Sequence, residues 1–159
     1  MESSPLNKQQ EIFDPIRQKW ILATPEEIVR QKCISYLVEN CSFPLEVISV
    51  EKKLSELPSL CERKKSLPER RLDVLCFGPE LAFPLLLIEC KAIALQDKML
   101  SQVWGYNAFI GAPFVALVND KEIRMGWEEN GESRYRDFIP TYQELIKACE
   151  QCWDPLKKI

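Results

Sequence analysis

Two apolar segments joined by a short turn signal constrain this chain more than any other feature. RLDVLCF (71–77) and FPLLLIECK (83–91) are long enough for strands and too short for core helices, and GPE at 78–80 between them marks a reversal. They read as an antiparallel hairpin inside a sheet. Each interrupts its apolar run with charge: Asp73 in the first, Glu89 and Lys91 in the second. Residues i and i+2 of a strand share a face, so Glu89 and Lys91 stand side by side while Ile88 and Cys90 turn the other way. A turn centred near residue 81 sets Asp73 opposite Glu89, with Lys91 one pleat beyond. Like charges directly opposite repel, so two facing carboxylates in a sheet call for a cation between them. A register off by one residue would instead leave Asp73 beside Arg71 or Lys91.

The surrounding pattern places this hairpin in an α/β domain with a mixed β-sheet flanked by helices. TPEEIVRQKCISYLVEN opens a helix, with Thr24 as N-cap, Pro25 at the first helical position and Glu27 three residues after the cap, as in a capping box. LEVISVE (45–51) reads as a strand, and the polar, basic stretch from Lys52 to Arg71 as a loop. LQDKMLSQVWGYNAFIG reads as a second helix, PFVALVN (113–119) as a strand, Asn130-Gly131 as a hairpin turn, and TYQELIKACEQCW as a last helix with a Thr141/Glu144 capping box. Residues 1–23 read as an N-terminal extension and 24–159 as a single domain.

With 159 residues, 46% of them hydrophobic, the chain is large enough to bury a core without staples. It contains no histidine, which removes Ser-His-Asp and Cys-His catalysis, HNH-type nucleases and His-ligated zinc enzymes together. The five glycines form no phosphate-binding loop and no dinucleotide fingerprint. Cys149 and Cys152 form a C-x-x-C with no second ligand pair, so a zinc site is not expected. Cys33, Cys76 and Cys90 sit among apolar neighbours, as thiols in a reducing compartment do. No segment reads as a signal peptide or a membrane span, and the expectation is a soluble, cytoplasmic protein. The chemistry left open uses carboxylates, lysines and a hard metal ion, Mg²⁺ or Mn²⁺, held by oxygen ligands.

TPEEIVRQ, RRLDVLCF, LLLIECKA, QVWGYN and PFVALVND occur in this order, and the set resembles the PD-(D/E)xK nuclease superfamily. More narrowly, it is similar to the N-terminal nuclease domain of type I restriction enzyme R subunits, in the version that also stands alone. Leu72 occupies the place of the superfamily's proline. The resemblance implies a restriction-endonuclease-like core of order αβββαβ, to which the C-terminal hairpin and helix are added. It implies a metal-dependent DNA endonuclease in restriction or DNA processing, with Asp73, Glu89, the Cys90 main-chain carbonyl and a glutamate of the first helix around Mg²⁺ or Mn²⁺. Lys91 would place the attacking water. The Q-x-x-x-Y pattern of this branch falls on Gln102 and Tyr106, which share a helix face at i and i+4.

Glu26 is the expected helix carboxylate, because it shares the stripe of Val29 and Cys33 while Glu27 is committed to the cap. The net charge of −3 and pI ≈ 5.2 give no basic footprint for the whole chain. Basic clusters nevertheless flank Asp73, and Lys64, Lys65, Arg70 and Arg71 are candidates to line a DNA backbone path. DNA is the expected partner, and a motor or specificity subunit would be needed for any translocation. The alternative is a catalytically silent module of the same fold that binds DNA or a partner subunit.

Overall fold

The computed structural model describes residues 9–57 and 67–152, the side chains of 151–152 apart. Among these residues the chain forms a hairpin of β1 (Glu11–Asp14) and β2 (Lys19–Leu22), then α1 (Pro25–Glu39), β3 (Ile48–Lys53), β4 (Arg71–Phe77) and β5 (Pro84–Cys90). There follow α2 (Asp97–Ile110), β6 (Phe114–Val118), β7 (Ile123–Glu129), β8 (Glu132–Arg136) and α3 (Tyr142–Cys152). The six strands β3 to β8 make one sheet in chain order. Every neighbouring pair is antiparallel except β5 and β6, which run parallel because α2 carries the chain back between them. The expected αβββαβ core is present, followed by the hairpin at Asn130-Gly131 and the last helix.

Helices cover both faces of the sheet. α1 (Val29, Cys33, Ile34, Leu37) and α3 (Tyr142, Leu145) pack on Val74, Cys76, Ile88, Cys90, Ala116 and Val118. α2 packs Met99, Leu100 and Val103 on Leu75, Leu87, Val115 and Leu117 from the other side. The central strands β5 and β6 are therefore apolar on both faces and almost wholly buried. No helix among the described residues is long and apolar enough to cross a membrane.

One expectation needs correction. Residues 45–47 form a single 3₁₀ turn rather than the start of β3. The ladder begins at Ile48 opposite Cys76 and β4 ends one residue later at Phe77, so Leu45 and Glu46 have no strand to pair with. Within the segment 1–23, residues 11–22 form the β1–β2 hairpin. Phe13 and Trp20 pack edge to face across it with ring centres 5.5 Å apart, both of them exposed. Asp14 at the end of β1 is buried, accepts from the Ile16 amide at 2.8 Å and pairs with Arg17.

The α2–β6 connection, which sets the parallel pair, is closed by one side chain. Gly111 caps α2 at φ 74°, a left-handed conformation suited to glycine. Asn107 then accepts from the Ala112 amide at 2.9 Å and donates to the Ala112 carbonyl at 2.8 Å, while itself buried. Asn107→Ala leaves both backbone groups of Ala112 without these partners, and a stability loss of about 2 kcal/mol is expected in urea unfolding. A loss below a few tenths would show that water replaces the side chain.

Candidate active site

The β4–β5 ladder pairs Val74 with Ile88, Leu75 with Leu87 and Cys76 with Leu86, so the next positions along it are Asp73 and Glu89. This is the register expected from the turn. Asp73 Oδ2 accepts from the Cys90 amide at 2.8 Å, which locks the side chain against the end of β5. Lys91 Nζ lies 3.2 Å from Glu89 Oε1, as the i, i+2 spacing requires.

Each of the two carboxylates is met by an arginine from a different direction. Arg30 of α1 reaches Asp73 Oδ1 at 2.9 Å and also pairs with Glu27 and with Glu51 of β3. Its Nε is buried without a partner among the described residues. Arg70, just ahead of β4, pairs with Glu89 Oε1 and lies over the Tyr106 ring of α2, 5.2 Å from its centre. Glu51 holds its place at φ 57°, a left-handed conformation inside a strand. The β3–β4 ladder pairs Val50 with Val74 and Lys52 with Leu72, and it leaves Glu51 between them across from Asp73. Backbone in that region costs a non-glycine residue about 1–2 kcal/mol, and the carboxylate that reaches Arg30 is what the conformation delivers.

The helix glutamate at the site is Glu27, not Glu26. Glu26 is exposed, whereas Glu27 is buried and its carboxylate receives Arg17, Arg30 and Gln31. Thr24 Oγ1 does accept from the Glu27 amide at 3.2 Å, so half of the expected cap forms. The other half cannot, because the Thr24 amide already donates to the Leu22 carbonyl at 2.9 Å and leaves the Glu27 side chain nothing to fold back to. The box expected at α3 is complete in both directions, at 2.9 and 3.2 Å.

The remaining candidates divide. Tyr106 joins the site through Arg70, with its hydroxyl 3.4 Å from Arg70 Nη1. Gln102 is exposed one turn earlier and bonds none of the site's side chains. Arg70 is turned inward onto Glu89, and Arg71 is exposed with Nη1 3.4 Å from the Glu51 carbonyl. Lys64 and Lys65 lie outside the described residues. Arg17, Arg30, Gln31 and Glu51 were not among the candidates. A signal existed for Arg30, which lies three and seven residues before Cys33 and Leu37 on the inward stripe of α1.

Electrostatically the centre is short of positive charge. Asp14, Glu27, Glu51, Asp73 and Glu89 are set against Arg17, Arg30, Arg70 and Lys91. Burial, together with the charge of Asp73, pushes the Glu89 carboxyl up to about 7, against the pull of Arg70 and Lys91. The oxygen donors of Asp73 and Glu89 suit a hard divalent cation that keeps most of its waters. Among the described residues no group of three or more acidic or thiol side chains is arranged around one point for a metal, so such an ion would rest on these two carboxylates, backbone oxygen and water.

A family model described as the type I restriction enzyme R protein N terminus matches residues 25–140, from the start of α1 to just past β8. The chain belongs to this family. Its fold is similar to that of a fragment assigned to an HsdR subunit of a type I restriction enzyme from Vibrio vulnificus YJ016. The TM-score is 0.55 at 20% identity, over 80% of this chain and 25% of that one. This R-subunit-like chain thus spans about a quarter of the length of that fragment. A comparison with curated proteins finds no match. The β1–β2 hairpin, and with it Asp14 and Arg17, lies ahead of the span that the R-protein family model covers.

Two measurements follow for this R-type domain. Glu27→Gln weakens three contacts and is expected to cost about 1–3 kcal/mol of stability, whereas Glu26→Gln should stay within about 0.5 kcal/mol. Equal effects would contradict the inward placement of Glu27. The second concerns pH. Because the folded-state pKa of Glu89 is raised, its contribution to stability is full below about 4.5 and is lost as pH rises through about 7. Glu89→Gln cannot lose it. In metal-free buffer the variant's stability relative to the parent should therefore grow from pH 4 to pH 8, by up to about 3 kcal/mol. A difference that stays flat across this range would mean that Glu89 ionises like an exposed glutamate.

Proposed function

We propose that this chain is a metal-dependent DNA endonuclease domain that hydrolyses phosphodiester bonds at Asp73, Glu89 and Lys91. The observation that carries the reading is that Asp73 and Glu89 hold the next positions of the β4–β5 ladder beyond Val74 and Ile88, with Lys91 at 3.2 Å from Glu89, in a chain of the type I R-protein family. Asp73, Glu89 and the main-chain carbonyl of Cys90 would hold Mg²⁺ or Mn²⁺. When bound, the ion neutralises charge on the phosphate and lowers the pKa of a coordinated water.

The chain's own groups do the rest. The Cys90 amide fixes one oxygen of Asp73 and Arg30 fixes the other, so the aspartate keeps one orientation. Lys91, 3.2 Å from Glu89, would hold the attacking water by hydrogen bonding and offset charge that builds on the phosphate. Glu27 acts at one remove, by seating Arg30, and Arg17 couples the N-terminal hairpin to that seat. DNA is the proposed substrate, and a motor or specificity subunit the proposed additional partner. A second reading, a silent module that binds DNA or a partner without cutting, draws support from the arginines that already pair with both carboxylates.

Nicking of supercoiled DNA in Mg²⁺ or Mn²⁺ decides between them. Asp73→Ala, Glu89→Ala and Lys91→Ala are each expected to reduce cleavage at least about a hundredfold while circular dichroism stays that of the parent. Three variants that cut like the parent would end the nuclease reading. A parent that binds DNA and cuts none in either metal would favour the silent module.

A further inference from the structure

Two arginines meet the paired carboxylates, and they are built differently. Arg30 is only 6% exposed in its side chain and is clamped by carboxylates of three elements, as a fixed structural cation is. Arg70 is 42% exposed, and among the described residues its guanidinium touches Glu89 and Tyr106 alone. It shares Glu89 Oε1 with Lys91, so two cations converge on one oxygen of the glutamate that a metal ion would need. The flat face of Tyr106 beneath Arg70 restrains the height of the guanidinium, while its direction is set by Glu89 and by a long contact of 3.4 Å to the Tyr106 hydroxyl. A guanidinium fork also fits carboxylate and phosphate oxygens alike.

We propose that Arg70 is an exchangeable cation, which occupies Glu89 in the metal-free protein, yields it to the incoming divalent ion, and turns on the Tyr106 ring to grip a phosphate of the bound DNA. The second half rests on the nuclease reading above. The first half, competition for Glu89, rests on the geometry alone. Tyr106 is then a positioning residue that acts through Arg70, and Gln102, exposed one turn earlier, has no part in the exchange.

Mn²⁺ binding to the whole chain without DNA, followed by electron paramagnetic resonance, tests the exchange. Glu89→Gln should abolish the bound signal, which identifies the ion counted. Arg70→Gln should tighten binding about tenfold. Arg71→Gln removes the same charge from a side chain that reaches the Glu51 carbonyl instead, and should change affinity by less than about twofold. Tyr106→Phe keeps the ring and should bind Mn²⁺ like the parent, whereas Tyr106→Leu should tighten binding part of the way. Equal shifts at Arg70 and Arg71, or none at Arg70, would overturn the proposal. Phosphate gripping is read separately, as a rise in KM for DNA in Arg70→Gln at saturating Mn²⁺. If Arg70→Gln tightens Mn²⁺ but the parent cuts no DNA, the nuclease reading and the phosphate step fall together while the exchange at Glu89 is upheld.

Discussion

Arg30 is the buried cation on which the candidate site depends. It reaches a carboxylate on its own helix, one on β3 and one on β4, and so holds three elements in a single relation. Burying a guanidinium carries a desolvation cost of several kcal/mol, which attraction to surrounding carboxylates can offset when the geometry is good. What the arrangement contributes above all is placement. Asp73 would otherwise be a carboxylate facing Glu51 and Glu89 on neighbouring strands, with repulsion on both sides and no reason to hold one rotamer.

A chain of contacts runs outward from this point. Glu27 passes from Arg30 to Arg17, and Arg17 to the buried Asp14, which ends β1. The N-terminal hairpin is thus fastened to α1 by charge, with Ile16 of its turn packed against the apolar core. Its large side chains Phe13, Trp20 and Leu22 face solvent. On the other side Glu89 passes through Arg70 to Tyr106 and so to α2. The two layers of helix on opposite faces of the sheet therefore meet electrostatically at the strand ends, where their apolar cores do not.

The sheet and its central register could be read directly from the residues, because they depend on short-range patterns. β4 coincides with its expected span, and the turn at 78–80 placed Asp73 against Glu89 without any knowledge of neighbours. The hairpin at residues 11–22 escaped notice for the opposite reason, since strands of four residues with exposed aromatics show no burial period. The stripe of α1 turns Arg30 inward, but its partners Glu51 and Asp73 are 21 and 43 residues away, a separation that local spacing cannot report. At Glu27 a sound local rule, the capping box, loses to a backbone bond from the Thr24 amide to Leu22. Only for Arg30 is the deciding contact distant in sequence; at Glu27 it is a backbone bond two residues long, and at 11–22 a short local hairpin.

Glu51 shows how backbone and side chain can set opposing demands at one position. Its left-handed φ favours glycine on conformational grounds, and glycine there would ease the strand. Glycine would also strip Arg30 of a partner and loosen the aspartate beside it. Selection for thermal robustness and selection for a well-set site would thus pull this residue in different directions. A stabilised descendant of this chain that has relaxed position 51 would carry a looser site as the cost, a trade-off written into a single dihedral angle.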